Sequence, residues 1–335
     1  MRKLRFGVLG TAKIAREKVV PPMRQATRCE VAAIASRDEA TARRTAAALG
    51  VPTAHGSYEA LLADPAVEAV YIPLPNHLHV PWTVRAAEAG KHVLCEKPVG
   101  VNAAEAEELI RVRDRTGVRI QEAFMVRTHP QWLRAREIVR SGSLGELRAI
   151  QGHFSYRLTD PTNVRNVLDW GGGGLLDIGC YPITTSRFVT GAEPRRVAAV
   201  IERDPATGVD RLGSVLLDYP GGVQGAFTYG TQHVPRQTMQ FLGTEARLEV
   251  EVPFNAPNDR PCRLFLYDAR DGLGGAVAET VEIPTCDQYG IMADAFAAAV
   301  LDGTEQPVPL GDSLANMRVI DAVFRAAERG TWETP

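Results

Sequence analysis

The start of the chain constrains its fold most. An apolar stretch, Leu4–Leu9, ends in Gly10-Thr11-Ala12-Lys13-Ile14-Ala15 and passes straight into a helix-like segment, Ile14–Gln25. A short strand that leaves through a glycine turn into a helix opens a βαβ unit, and the pattern then repeats. Val31–Ala35 reads as a second strand and the Ala- and Arg-rich Glu39–Leu49 as its helix. Val67–Ile72 and Val93–Leu94 read as buried strands with the helix Val80–Ala89 between them. The helix Ala103–Thr116 and the strand Arg119–Ala123 complete the set. This alternation predicts a doubly wound parallel sheet with helices on both faces, placed over 1–125.

The pattern changes after Phe124–Thr128, where the domain boundary is expected. Pro130–Ser141 looks helical, and the run Gly171–Gly174 opens a second helical stretch, Leu175–Val189. Strand-like segments then follow with few helices between them: Val197–Arg203, Val215–Tyr219, Gly225–Thr231, Thr238–Leu242, Arg247–Val252 and Arg263–Tyr267. Turns such as Tyr219-Pro220-Gly221-Gly222 separate several of them, as in an open, mostly antiparallel sheet. Helix returns at Ile291–Leu301 and Ser313–Arg329. The range 126–335 therefore reads as an α+β domain. The 335 residues suffice for two cores of this kind.

A net charge of −2 gives no footprint for nucleic acid or for an acidic membrane. No run approaches the ~18 apolar residues of a membrane helix. The first residues lack a signal-peptide core, and the five cysteines are scattered, without a C-x-x-C. The expectation is a soluble cytoplasmic protein without disulfides. No metal site is expected either, because His129, His153 and His233 show no ligand spacing.

Gly10–Ala15 is a variant of the dinucleotide fingerprint of Rossmann domains. Gly10 makes the tight turn, Ala12 lies where backbone meets pyrophosphate, and Ala15 packs helix on strand. Thr11, Lys13 and Ile14 complete the cofactor-facing turn, at a helix N-terminus suited to phosphate. The second strand ends in Ala35-Ser36-Arg37-Asp38. An acidic residue here suits the ribose hydroxyls of NAD, and an arginine suits the 2′-phosphate of NADP. Ser36 and Arg37 favour NADP over NAD, and Arg43 or Arg44 can add charge. Asp38 dissents: it either turns outward or bonds a ribose hydroxyl.

Two further stretches carry chemistry. Cys95-Glu96-Lys97-Pro98 follows a strand, where open α/β sheets bind ligands. Gly172-Gly173-Gly174-Leu175-Leu176-Asp177-Ile178-Gly179-Cys180-Tyr181-Pro182 places Asp177 and Tyr181 four apart, on one helix face. A phenol of pKa ~10 is a poor base, and a nearby ammonium favours the phenolate. Lys97 and Tyr181 together can take a proton from a hydroxyl as hydride leaves its carbon, with Asp177 bonding substrate or orienting Lys97.

At these residues the chain resembles the glucose–fructose oxidoreductase / inositol dehydrogenase (Gfo/Idh/MocA) family. Four features carry the resemblance, in order along nearly the whole chain: Gly10–Ala15, Pro73-Leu74-Pro75-Asn76-His77-Leu78-His79, Glu96-Lys97-Pro98, and the glycine run leading to Asp177 and Tyr181. Much of the family has His where Tyr181 stands. Tyr there, with Glu122-Ala123-Phe124-Met125-Val126-Arg127, resembles the branch of dihydrodiol dehydrogenase and NADP-dependent xylose dehydrogenase. The resemblance implies Lys97 and Tyr181 as catalytic pair and Asp177 in the substrate pocket. It also implies Pro73, Leu74, Asn76, His79, Glu96 and Arg165 at the cofactor, and Arg127 and Trp170 near the substrate. It further implies a sheet whose exposed face builds a dimer or tetramer.

Each residue also has a plainer reading. Lys97 can be a surface lysine before a proline turn, Tyr181 a core aromatic, Asp177 a helix-face carboxylate, and His77 and His79 loop histidines bonded to backbone. Arg127, Arg165 and Trp170 can serve packing. The pairing of Lys97 with Tyr181 favours an NADP-dependent oxidoreductase acting on a sugar or cyclic polyol. A trans-dihydrodiol dehydrogenase and a non-catalytic NADP sensor are the alternatives.

Overall fold

The computed structural model describes residues 2–268 and 276–335. The chain falls into two compact units. The first comprises Met1–Thr128 with Asp287–Leu314, and the second His129–Cys286 with Ala315–Pro335.

The first unit is built on six parallel strands: β1 (Leu4–Leu9), β2 (Cys29–Ala35), β3 (Thr53–His55), β4 (Ala69–Ile72), β5 (His92–Cys95) and β6 (Ile120–Glu122). Their order is β3-β2-β1-β4-β5-β6. The order reverses beside β1, which is the switch point where such sheets bind ligands. The central strands β1, β4 and β5 are mostly apolar and buried, because helices cover both faces. These helices are α1 (Val20–Gln25), α2 (Glu39–Leu49), α3 (Tyr58–Ala63), α4 (His79–Glu88) and α5 (Ala103–Thr116). A π-helical turn, Ala15–Val19, precedes α1.

Sequence order places α8 (Gln288–Asp302) in 126–335, yet it packs with the first unit. Its apolar face covers the start of the parallel sheet, with Phe296 6.0 Å from Phe6. Its Asp294 accepts the backbone N–H groups of Thr27 and Arg28 at 2.9 and 2.7 Å. Periodicity signals such a helix but not the sheet that receives it.

Among the described residues the second unit holds α6 (Pro130–Arg140), α7 (Cys180–Thr190) and eight strands. In order along the chain these are β7 (Leu147–Arg157), β8 (Arg196–Arg203), β9 (Asp210–Asp218), β10 (Gln224–Gly230), β11 (Gln232–Gly243), β12 (Ala246–Val250), β13 (Cys262–Asp268) and β14 (Glu279–Ile283). The sheet order is β14-β13-β12-β11-β7-β10-β9-β8, antiparallel except for β7 beside β10. One face packs on α6 and α7 around Trp132, Phe154, Phe241 and Phe254. The other is open, with Val200 76% and Leu216 50% exposed. The sequence reading omitted β3, α3, β7 and β14. β7 buries only Ile150, Phe154 and Ser155 and is otherwise rich in polar residues, so it lacks the apolar run that marks the other strands. The last helix is α9 (Leu310–Arg329).

Candidate active site

In the first unit the expected residues gather at the carboxyl ends of β1, β2, β4 and β5. Gly10 has a φ of 115°, open to glycine alone, and a Cβ there would stand 3.1 Å from the Leu74 side chain. Its N–H donates to Ala35 O at 3.0 Å. Thr11 and Ala12 follow without regular structure. Helix begins at Lys13, whose exposed ammonium lies 3.9 Å from Glu17.

At the end of β2, Asp38 is engaged by its own helix. Its carboxylate caps α2, accepting Thr41 N–H at 2.9 Å and the Thr41 hydroxyl. These bonds hold its pKa below the usual carboxylate range. Arg43 pairs with Glu39, and Arg44 bonds Thr41 and lies near Asp38. Ser36 is buried and accepts Asp38 N–H at 3.3 Å, whereas Arg37 is exposed. Among the described residues no carboxylate pairs with Arg37.

The turn after β4 holds Pro73, Leu74 and Asn76, the last in a short 3₁₀ turn, Asn76–Leu78. His79 opens α4 fully buried. Its Nδ1 lies 2.7 Å from Pro98 O and its Nε2 2.7 Å from Leu74 O. It thus ties the turn after β4 to the Lys97–Pro98 turn after β5, and both ring nitrogens are occupied by backbone. Burial pushes its pKa down to about 4, and the Lys97 charge acts in the same direction. Glu96 accepts the buried Tyr71 hydroxyl at 2.6 Å.

Behind Lys97, Glu122 at the end of β6 accepts Val99 N–H at 2.9 Å. Burial pushes the Glu122 carboxyl up to about 7. Arg127 forms an ion pair with Asp312. The guanidinium of Arg127, a residue expected near the substrate, is nearly buried and meets a carboxylate of its own unit.

In the second unit the glycine run fits tightly against its surroundings. Gly173 has a φ of 123°, and a Cβ there would fall 1.9 Å from Asp210 Oδ1. A Cβ on Gly174 would meet the Tyr229 ring at 2.8 Å. A π-helical turn, Leu175–Gly179, then leads into α7. Such turns interrupt regular helix and often mark functional positions.

Asp177 lies in this turn as the centre of a polar cluster. Tyr156 donates its hydroxyl to Asp177 Oδ2 at 2.5 Å, and Arg165 Nε lies 2.9 Å from the same oxygen. Asp177 raises the Arg165 pKa, and burial with the Asp177 charge raises that of Tyr156. Tyr181 is buried against Phe154 and Phe254, with ring centroids at 5.6 and 5.4 Å. Trp170 is exposed beside the glycine run. The structure thus brings Arg165 to Asp177 and sets Tyr181 on the same helical segment. Sequence reasoning missed Tyr156, Asp210 and Tyr229, and took Glu122 only as part of the stretch Glu122–Arg127. The three missed residues sit in strands without a motif, and only the fold of the sheet brings each to its partner. Among the described residues no group of three or more His, Cys, Asp or Glu is placed to hold a metal. No helix among them is long and apolar enough to cross a membrane.

Residues 4–124 match the model of the GFO_IDH_MocA oxidoreductase family with its NAD-binding Rossmann fold, and residues 132–249 match the GFO/IDH/MocA C-terminal domain. The chain belongs to the Gfo/Idh/MocA family. It is therefore an oxidoreductase of the nicotinamide-dependent kind. It is 50% identical to an uncharacterized oxidoreductase of Rhizobium meliloti, across 100% of both chains. It is 43% identical to a D-xylose 1-dehydrogenase (NADP(+)) of Haloferax volcanii, across 97% of this chain and 98% of the other. A crystal structure of a 3-ketoreductase from Actinomadura kijaniata with NADP and TDP-benzene superposes with a TM-score of 0.90, at 34% identity and 97% and 98% coverage. That ketoreductase was also crystallised with a lysine replaced and with a tyrosine changed to phenylalanine.

The family cofactor fits the first unit. A Cβ at Gly10 would fill the space at the end of β1, and Asp38 is turned away onto its own helix, which leaves Ser36 and Arg37 at the end of β2.

Proposed function

We propose that this Gfo/Idh/MocA protein transfers a hydride between NADP and a hydroxyl or carbonyl carbon of a sugar or cyclic polyol, with Lys97 and Tyr181 managing the proton. When bound, the nicotinamide supplies or accepts the hydride. The protein's own residues do the rest. Gly10, Thr11, Ala12, Lys13 and Ile14 hold the pyrophosphate. Ser36 and Arg37 hold the 2′-phosphate. Pro73, Leu74, Asn76, Glu96 and Arg165 line the nicotinamide half, with His79 fixing the turns around it. Tyr181 takes the proton from the substrate hydroxyl in oxidation and returns it in reduction, its phenolate favoured by the Lys97 ammonium. Asp177, Trp170 and Arg127 are assigned to the substrate.

The observation that carries this reading is the Tyr156–Asp177–Arg165 cluster on the segment that bears Tyr181. A carboxylate fixed by a phenol and a guanidinium presents donors and acceptors close together, which suits a ligand with several neighbouring hydroxyls. The xylose dehydrogenase and the ketoreductase among the relatives support both the sugar and the NADP. The lysine and tyrosine replaced in the ketoreductase lie as far apart along its chain as Lys97 and Tyr181 do here. NADP is favoured over NAD because Asp38 caps α2 rather than facing a ribose. The open sheet face, with Val200 and Leu216, is assigned to a second copy of the chain. The second unit is thereby assigned to substrate binding and dimerisation.

The test mixes the protein with NADP and a panel of aldoses, inositols and trans-dihydrodiols and follows nicotinamide absorbance. Turnover with an aldose or inositol is expected. Turnover confined to dihydrodiols would move the substrate to the cyclic diols. Tight NADP binding with silence across the panel would replace the enzyme with a sensor.

A further inference from the structure

We propose that Asp210 is a positioning residue for the reaction: its buried carboxylate sets the start of the helical segment that carries Asp177 and Tyr181, and the negative charge is what that position requires. The inference rests on the reading above in that Asp177 and Tyr181 are taken to meet the substrate.

The first N–H groups of a helix have no partner within it. Here Asp210, from the start of β9, accepts Leu175 N–H on Oδ2 at 2.6 Å. The same oxygen accepts the Tyr229 hydroxyl at 2.7 Å. The other oxygen faces Gly173, which leaves no room for a side chain. The Tyr229 ring lies against three glycines, since a Cβ on Gly174, Gly179 or Gly213 would come within 2.8, 3.0 and 2.5 Å of it. The glycine run thus lets a carboxylate and a ring from two other strands reach the helix start.

The charged and titratable groups around Asp210 come from each neighbouring strand. Tyr229 in β10 and Arg203 in β8 favour the carboxylate. Tyr156 in β7 feels the Asp210 charge and donates to Asp177, which Arg165 also holds. Burial outweighs the favourable partners and pushes the Asp210 carboxyl up to about 6. With a folded pKa above the unfolded one, the folded protein binds more protons across that interval. Stability from this group therefore falls as pH rises from about 4 to about 6. For packing alone, a neutral residue of the same shape would serve at least as well. The carboxylate does something an amide does not: it is a charge-assisted acceptor at the positive end of a helix. Below pH 6 the added proton weakens that acceptor, and the segment loses its fixed start.

The test is Asp210→Asn in the full chain, with D-xylose and NADP as probe, and kcat, KM and melting temperature measured from pH 5 to 9. Wild type should lose kcat as pH falls through about 6. The Asn variant should lack that limb. At pH 8 it should show kcat lower by about tenfold, KM within about twofold, and a melting temperature equal or higher. Tyr229→Phe removes one donor that favours the carboxylate, so its limb should move to higher pH. The Leu175 amide resonance gives a readout that needs no turnover. It should titrate near pH 6 in wild type and stay flat in the Asn variant. An Asn variant with wild-type kcat and an unchanged limb overturns the proposal. So does a kcat that falls only in step with melting temperature, or a Leu175 amide that ignores the substitution. If Tyr181→Phe turns over like wild type, the catalytic reading fails instead, whatever Asp210 does.

Discussion

The two units place their functional residues by different means. In the first, the site is made of contiguous runs at strand ends: Gly10–Ala15 after β1, Ser36–Asp38 after β2, Pro73–His79 after β4, and Glu96–Pro98 after β5. In the second, Asp177 and Tyr181 lie four apart on one segment, but Tyr156, Asp210 and Tyr229, which hold that segment, come from three separate strands. Each unit also buries one carboxyl that accepts a backbone N–H beside the chemistry. Glu122 supports Val99 behind Lys97, and Asp210 supports Leu175 ahead of Asp177. A parallel sheet delivers its strand ends to one edge by topology alone. An open antiparallel sheet must use long side chains and glycine gaps to reach a helix.

The largest expected effect sharpens this contrast at the chemistry. Tyr181→Phe should lower kcat by about 10²–10⁴-fold while NADP binding, measured by fluorescence titration, stays within about twofold. Retained turnover would remove Tyr181 from the proton transfer.

Glu122→Gln tests the buried carboxyl of the first unit. Its folded pKa of about 7 lies above the unfolded value, so its contribution to stability declines as pH rises from about 4.5 to 7 and is lost above. Glutamine keeps an oxygen for Val99 N–H and should raise stability at pH 8 by up to roughly 3 kcal/mol. Wild type and variant should converge near pH 4.5 in denaturant titrations. Parallel curves over that range would show that the carboxyl does not titrate there.

Arg37→Ala should weaken NADP by about 10- to 100-fold, the worth of charge-assisted bonds to a phosphate, and leave NAD nearly unchanged. Equal losses for both cofactors would place Arg37 elsewhere. The smallest effect is at its neighbour. Asp38→Ala should cost about 1 kcal/mol of stability, as loss of a helix cap does, without shifting the preference between NADP and NAD. A marked shift would mean that Asp38 serves the ribose after all.

The same contrast explains what the sequence shows. Fingerprint, strand–helix alternation and Glu96-Lys97-Pro98 are local, so the parallel sheet and its strand-end residues were readable. The glycine run was readable as a run, but its reason was not. Gly173 is glycine because Asp210, 37 positions later, occupies the space of its side chain. Tyr156 lay in a strand too rich in polar residues to show an apolar run. Asp38 was ambiguous because a carboxylate after β2 can bond a ribose or cap the next helix, and only the Thr41 contact decides. The ion pair of Arg127 left no trace in the sequence, because its partner Asp312 comes from the far end of the chain.

A double-mutant cycle on kcat with Lys97→Ala, Tyr181→Phe and the double variant tests the account at its centre, since one residue comes from each unit. If the ammonium and the phenol act as one proton-transferring group, the double variant should be about as slow as the slower single variant. Losses that multiply, as for two independent sites, would contradict it.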